Sequence, residues 1–325
     1  MKALITGAAG FVGSNLARRL LDDGHSVVGI DSLTPYYAPQ LKLHNLEGLR
    51  GPGFELLEAD VNEVDLDAVL DGVDVIYHQA GQPGVRSSWG REFEVYTQNN
   101  VVATQRLLEA ARRQGQLQKF VYASSSSIYG DAERFPTTER DIPQPVSPYG
   151  VTKLAAEHLV SLYGSNFGVP TISLRYFTVY GPGQRPDMAF TRFMQSALSE
   201  REIRIFGTGE QIRDFTFIDD IVNANRRAGE ATAARPGEVV NVSGGSNISV
   251  NEVLDTLTAI AGHRLKVSYV ERAAGDVHRT GGSSDKAADV LGWASSIGIE
   301  EGLRRQFEWA KDTMDVWTNL PENFV

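Results

Sequence analysis

The sequence predicts a doubly wound α/β fold: a parallel Rossmann sheet joined to a smaller C-terminal α/β substrate lobe. Three observations predict it. Near-continuous Val/Ile/Leu runs alternate with amphipathic segments as far as residue 177, the pattern of strands buried on both faces. A glycine-spaced turn joins the first such run to the first helical pattern. The rhythm then breaks at "TVYGPGQRPDM" (178–188), a Gly/Pro-rich loop.

The elements follow in order. "KALIT" (2–6) is a short apolar strand, and Phe11, Leu16, Leu20 and Leu21 give the next segment a helical period. "SVVGI" (26–30), "FELLE" (54–58), "VDVIY" (73–77), "KFVYA" (119–123) and "TISLRYF" (171–177) are further strands. Helices are predicted at 62–71, 91–114 and 149–167. "EVVNVSGG" (238–245) again reads as a sheet strand, so the chain is expected to return once to the first domain. The expected division is a dinucleotide-binding domain over 1–177, with a returning segment near 213–245, and a lobe over 178–325.

Composition narrows the function classes. The 325 residues include 31 basic and 41 acidic side chains, a net charge of −10, which argues against broad binding to a nucleic-acid backbone. With no cysteine there is no disulfide, thiol nucleophile or cysteine metal site. The six histidines are scattered without the spacing of a helical metal pair, so no metal is expected, and His78 reads as a hydrogen-bonded structural residue. No stretch reaches the roughly 18–20 apolar residues of a membrane span. "MKALITGAAG" runs from strand into glycines without a signal-peptide pattern, so a cytoplasmic location is expected.

Gly7, Gly10 and Gly13 lie between the first strand and the first helix. Lacking side chains, they let the backbone turn tightly and let a pyrophosphate approach the helix N-terminus, where free N–H groups favour negative charge. Their GxxGxxG spacing alone also suits an ordinary turn. Asp31 ends the second strand, where a carboxylate can bind an adenosine ribose and would repel a 2′-phosphate, so NAD is favoured over NADP. Asp60, after the third strand, can contact adenine or cap a helix.

"SPYGVTK" places Tyr149 and Lys153 four residues apart at a helix start, on one face. A tyrosine of pKa about 10 is a poor base at neutral pH, but a nearby ammonium, together with a positively charged nicotinamide ring, lowers that value. A phenolate there can take the proton of an alcohol while hydride leaves the same carbon for NAD.

Together the glycine turn, Asp31, the run "ASSSSIYG" (123–130) and Tyr149-x-x-x-Lys153 resemble the nucleotide-sugar branch of the extended short-chain dehydrogenase/reductases. The resemblance extends through "IFGTGEQIRDFTFIDDIV" (205–222) to the late "LGW…EGLRRQFEW", to which no chemistry is assigned. It implies a tightly bound NAD, regenerated in each turnover, and a nucleoside-diphosphate sugar between the two lobes. It implies cofactor contacts from Phe11, Val12, Val61 and Ala80, a cofactor-positioning Asn100, and a catalytic set of Tyr149, Lys153 and Ser125. Arg213 matches a diphosphate contact, Asp276 a ribose contact, and Arg86 a position near the phosphates. Ala273 stands where epimerases of this branch often carry arginine, with Arg272 one residue earlier. The resemblance also implies a homodimer through the helices near 91–114 and 149–167.

The serine run sorts the chemistry. Relatives that eliminate water carry an Asp-Glu pair where this chain has Ser126 and Ser127, and decarboxylating relatives carry glutamate at the second position. Serines cannot supply that acid and base at neutral pH. What remains is oxidation at C4, rotation of the keto sugar and return of hydride to its other face. "RYFTVYGPGQRPDMA" (175–189) resembles UDP-glucuronate 4-epimerases more than UDP-glucose 4-epimerases, which remain the alternative. A hexuronate carboxylate needs hydroxyl donors or a cation, and Ser126, Ser127, Thr178 and Arg185 are the candidates. Arg185 can instead bind the diphosphate, as can Arg192, and each arginine has a surface ion pair as its alternative. Readings of a different kind are a catalytically idle NAD-binding regulator and a dehydrogenase that releases NADH.

Overall fold

The structure is a computed structural model that describes residues 1–49, 51–271, 279–318 and 320. The first part of the chain alternates β1 (Lys2–Thr6), α1 (Phe11–Asp22), β2 (Ser26–Asp31), α2 (Pro39–Asn45), β3 (Phe54–Glu58), α3 (Leu66–Val69), β4 (Val75–His78), α4 (Phe93–Tyr96), α5 (Ala103–Gln114), β5 (Lys119–Ser125), α6 (Pro148–Phe167) and β6 (Thr171–Tyr176). The rest contains β7 (Thr178–Tyr180), α7 (Ala189–Leu198), β8 (Glu202–Phe206), β9 (Ile212–Arg213), β10 (Phe215–Phe217), α8 (Ile218–Glu230), β11 (Glu238–Val242), β12 (Ile248–Ser249), α9 (Val250–Ala261), β13 (Lys266–Val270), α10 (Asp285–Leu291) and α11 (Ile299–Asp312).

Seven parallel strands form one sheet in the order β11-β6-β5-β4-β1-β2-β3. The alternating strand–helix pattern therefore gives the doubly wound sheet expected of it. β1 feeds β2 and β3 on one side, and the chain then crosses to place β4 on the other, so the connections diverge between β1 and β4. A crevice opens at the carboxyl ends of such a pair, where ligands bind in open α/β sheets. Two apolar cores cover the two faces. One gathers Leu16 and Leu20 of α1 with Ile221 and Ala224 of α8 and runs on into the C-terminal elements. The other packs Leu107 and Leu108 of α5 and Ala156 and Val160 of α6 against Ile76 and Phe120. Each fully buried Leu or Ile side chain contributes about 1.5–3 kcal/mol by leaving water.

Local structure departs from the predicted pattern at three places. The helix predicted over 62–71 shrinks to α3, because acidic side chains take up the preceding backbone donors. Asp60 accepts from the Asn62 N–H at 2.7 Å, and Asp65 caps α3 by accepting from Asp67 and Ala68. The helix predicted over 91–114 is interrupted by a π-helical turn, Thr97–Val102, between α4 and α5. β5 runs two residues past its predicted end, since Ser124 and Ser125 stay in register with Arg175 and Tyr176 of β6.

The late "LGW…EGLRRQFEW" stretch packs. The buried Trp293 indole donates to the Asp220 carbonyl at 2.9 Å, while the Asp220 carboxylate accepts from Ser296 and Ile297 backbone N–H groups at 3.1 Å. Among the described residues no helix is long and apolar enough to cross a membrane, and no cluster of side chains could hold a metal ion.

Candidate active site

A cleft of about 1130 Å³ opens at the carboxyl ends of β1 and β4 and extends to α7, β8 and Arg213. Its floor is the glycine turn. Gly7 has φ +70°, and a Cβ there would stand 2.8 Å from the Ala80 nitrogen. A Cβ on Gly13 would stand 2.1 Å from the Gly7 carbonyl oxygen, so α1 can pack this closely on the turn only with glycine there. Gly10 is the N-cap of α1 and offers no side-chain cap, which leaves the first N–H groups of the helix for an anion. Phe11, Val12 and Gly13 line the same wall, with Ala80, Asp60 and Val61 further along it.

Asp31 ends β2, nearly buried, with its carboxylate fixed by the Ala9 N–H at 3.0 Å and the Leu33 N–H at 2.8 Å. The buried Lys42 ammonium lies 3.6 Å away, and burial pushes its pKa down while Asp31 pulls it up. These features form a cradle for a dinucleotide: a helix end free for phosphate, a fixed carboxylate at ribose reach, and a wall closed to side chains. The residues present fit NAD.

Tyr149 and Lys153 lie on α6, whose start is built locally. Ser147 accepts from the Gly150 N–H at 3.1 Å, Pro148 supplies the fixed φ of the first turn, and Gly168 ends the helix at φ +69°. The Tyr149 ring packs edge-on against Tyr96 at 6.3 Å, and Ser125 at the end of β5 lies close enough to pull the phenol pKa down. The Lys153 ammonium is buried over the Tyr122 ring, 4.6 Å from its centre. Burial lowers the Lys153 pKa to about 7, with Glu157 acting against the fall. In the protein alone desolvation raises the Tyr149 phenol, and Ser125 and the Arg185 charge pull it down; the expected lowering calls on the nicotinamide charge as well as the lysine.

Asn100 does not line the cleft. It lies behind the wall in the π-helical turn, accepting from the Gln82 N–H at 2.7 Å and donating to the Gln82 carbonyl and to the Thr152 hydroxyl. It thereby ties the loop after β4 to the residue preceding Lys153. His78, fully buried, bridges Thr6 at 2.7 Å and Thr104 at 2.9 Å. Thr104 gives its own proton to the Asn100 carbonyl, so the ring carries hydrogen on Nε2 and accepts from Thr6 at Nδ1. Burial pushes the His78 pKa down to about 3, so the ring is neutral.

The far half of the cleft carries the remaining candidates. Ser126 and Ser127 begin a single 3-10 turn, Ser126–Ile128, and are half-buried on the cleft wall. Thr178 opens β7 beside them. Arg185 lines the same space but is held by Asp187 through two contacts, at 3.0 and 2.9 Å. Arg86 stacks over the Phe206 ring at 4.5 Å, and Arg192 on α7 and Arg213 on β9 complete a basic edge. Asp276, Arg272 and Ala273 lie outside the described residues.

Four residues of the site were not singled out from sequence. Tyr36 and Lys42 line the cleft from the segment after β2, and Tyr176 lines it from the end of β6. Glu157 lies behind it. Of these only Glu157 left a signal, one helical turn beyond Lys153, and the others depend on how loops and strand ends fold over.

Comparison with known proteins agrees with this geometry. The family described as NAD dependent epimerase/dehydratase matches residues 3–243. A Bacillus subtilis protein named as an uncharacterized UDP-glucose epimerase is 42% identical, over 95% of this chain and 98% of its own. The UDP-glucuronate 4-epimerase of Thermodesulfobacterium geofontis is 36% identical, over 96% and 97%. The structure of UDP-glucuronic acid 4-epimerase from Bacillus cereus, in complex with UDP-glucuronic acid and NAD, superposes with a TM-score of 0.92 at 40% identity, covering 96% of this chain and 99% of that one. With the glycine cradle, the Tyr149–Lys153 pair and this likeness along almost its whole length, the chain belongs to the NAD dependent epimerase/dehydratase family.

Proposed function

We propose that the protein interconverts UDP-glucuronate and UDP-galacturonate by NAD-dependent epimerisation at C4. The observation that carries this reading is the meeting, in one cleft, of Tyr149, Lys153 and Ser125 with serines at 126 and 127 instead of an acid pair. Two UDP-glucuronate 4-epimerases that resemble it support the same substrate.

Bound NAD supplies a reversible hydride acceptor for C4. The remaining work falls to the chain. Tyr149 takes the O4 proton beside Ser125, and Lys153 together with the cationic nicotinamide ring of bound NAD would supply the charge that offsets the desolvation of its phenol. The glycine turn, Asp31, Asp60 and the wall from Phe11 to Val12 hold the dinucleotide, and residues 1–177 with the return near 213–245 form that part of the molecule. The pairing of β11 with β6 supports this division. Arg192 and Arg213 hold the diphosphate and nucleoside from the 178–325 side, and Arg86 faces them from the 1–177 side.

A 4-keto hexuronate is a β-keto acid and loses CO2 when the breaking C–C bond aligns with the carbonyl π system. Small neutral hydroxyls at Ser126, Ser127 and Thr178 grip the carboxylate in both sugar orientations without adding an acid or base. Arg185, partly neutralised by Asp187, is the cation in reach. A second reading, epimerisation of UDP-glucose, is favoured by the name of the Bacillus subtilis relative.

Incubation with UDP-glucuronate and with UDP-glucose separately, with products identified by NMR, tests the two readings. UDP-galacturonate without released UDP-4-keto-pentose is the expected result. Conversion of UDP-glucose alone would favour the second. Turnover without added cofactor, and NAD released on denaturation, separates an epimerase from an idle regulator or a dehydrogenase. The exposed apolar side chains Trp89, Phe93, Val95, Val151, Leu162 and Phe167 support a homodimer through α4–α6.

A further inference from the structure

The serine at position 124 has a partner outside the cleft. Its hydroxyl, on the last turn of pleat before Ser125, donates to the Glu157 carboxylate at 2.6 Å. Glu157 is itself almost wholly buried and is gripped by Arg175 of β6 through two hydrogen bonds, at 2.9 and 2.6 Å. Arg175 continues to the Tyr129 hydroxyl at 2.5 Å, and Tyr129 donates to Asn241 of β11 at 2.8 Å. One carboxylate thus joins the catalytic helix, the end of β5 that carries the serine run, and β6 just before Tyr176.

Glu157 also stands one helical turn beyond Lys153, on the same face. The titratable groups near this lysine are Tyr149 on α6, Tyr122 on β5 and His78 on β4, with Tyr96 beyond Tyr149, and Arg175 on β6 and Tyr129 reached through Glu157. Burial holds the four phenols protonated and the histidine neutral at pH 7. The anionic charge acting on Lys153 comes from Glu157.

We propose that Glu157 is a positioning residue for the reaction: its carboxylate, clamped by Arg175, fixes the Ser124–Ser125 strand end against Tyr149 and supplies the counter-charge beside Lys153. This rests on the epimerase reading above. It assigns separate tasks to neighbouring serines, with Ser124 anchored inward and Ser125 presented outward. It also gives a buried ion pair a use beyond stability, since such pairs add little to folding compared with a well-packed apolar replacement.

The test uses full-length protein with its retained NAD. Three variants are compared with wild type: Ser124→Ala, Glu157→Gln, and the double replacement Glu157→Leu/Arg175→Met. The last exchanges the ion pair for apolar volume and is expected to fold. For all three, kcat should fall about tenfold or more with the KM for UDP-glucuronate within about twofold, the signature of an interaction made in the transition state. In the two Glu157 variants the alkaline limb of the kcat profile, where Lys153 loses its proton, should move at least half a unit to lower pH. Ser124→Ala should leave that limb in place. Wild-type kcat in folded Glu157 variants, or a limb that does not move, overturns the proposal. Should the double variant fail to fold, Ser124→Ala and Glu157→Gln decide by the same criteria. Wild-type protein inactive on UDP-glucuronate would instead overturn the substrate reading, and the variants would then be compared on UDP-glucose.

Discussion

At the Tyr149–Lys153 pair, burial and charge act against each other. A lysine pKa lowered from 10.5 to about 7 means that below pH 7 folded and unfolded chains both carry the ammonium, and the fold bears the full cost of burying it. As pH rises from 7 toward 10.5 the folded protein sheds that proton first and the cost fades. Lys153→Met should therefore stabilise the ligand-free protein more at pH 6 than at pH 9, by roughly 2–3 kcal/mol over the two units involved. Thermal melts at the two pH values check this, and equal gains would mean an ordinary lysine. Tyr149→Phe keeps the ring against Tyr96 and removes the hydroxyl beside Ser125. It should lower kcat by about 10²–10⁴ while UDP-sugar binding, measured by calorimetry, stays within a few-fold.

Among the elements, α1 is set by its glycines and α6 by its caps. Gly13→Ala would drive a methyl group into the Gly7 carbonyl, so the turn must open, and NAD should no longer copurify with the protein. Absorbance at 260 nm of the purified variant, or release of NAD on heating, reads this directly. The connection after α10 hangs on one side chain: Asp220 accepts from two backbone N–H groups and from the Ser296 hydroxyl at 2.7 Å. Asp220→Ala leaves buried donors unpaired and should cost about 2–4 kcal/mol in denaturant unfolding, with kcat per folded molecule unchanged. On the outer face of α6, Val151 and Leu162 are about half exposed. If α6 forms the dimer contact, Val151→Glu/Leu162→Glu should give a monomer by light scattering. A wild-type protein that is already monomeric would retire the dimer.

Across the whole molecule, one cleft joins the sheet's crevice to the C-terminal elements, and its two halves come from distant stretches of chain. Gly7 and Arg213 line the same space, more than two hundred residues apart. Ligands that touch both halves bind the folded state alone, so UDP-glucuronate should raise the melting temperature of the NAD-loaded protein in a concentration-dependent way. UDP, which lacks the hexuronate, should raise it less. Equal shifts would place the binding energy entirely in the nucleotide.

The alternating Val/Ile/Leu strands and helices, the glycine turn and the Tyr149-x-x-x-Lys153 pair were legible in the amino-acid order because each is local. Period, spacing and backbone freedom act over a few residues, and they determine the sheet, the glycine cradle and the face of α6 that carries Tyr149 and Lys153. The departure of Ser126 and Ser127 from an acid pair was legible for the same reason. What the tertiary structure decided is everything that depends on who sits opposite. It set Asn100 behind the wall, broke the 91–114 helix with a π-helical turn, and gave Ser124 to Glu157 and Arg185 to Asp187. It also set the desolvation of Tyr149, a property of the packed cleft that raises the phenol in the protein alone.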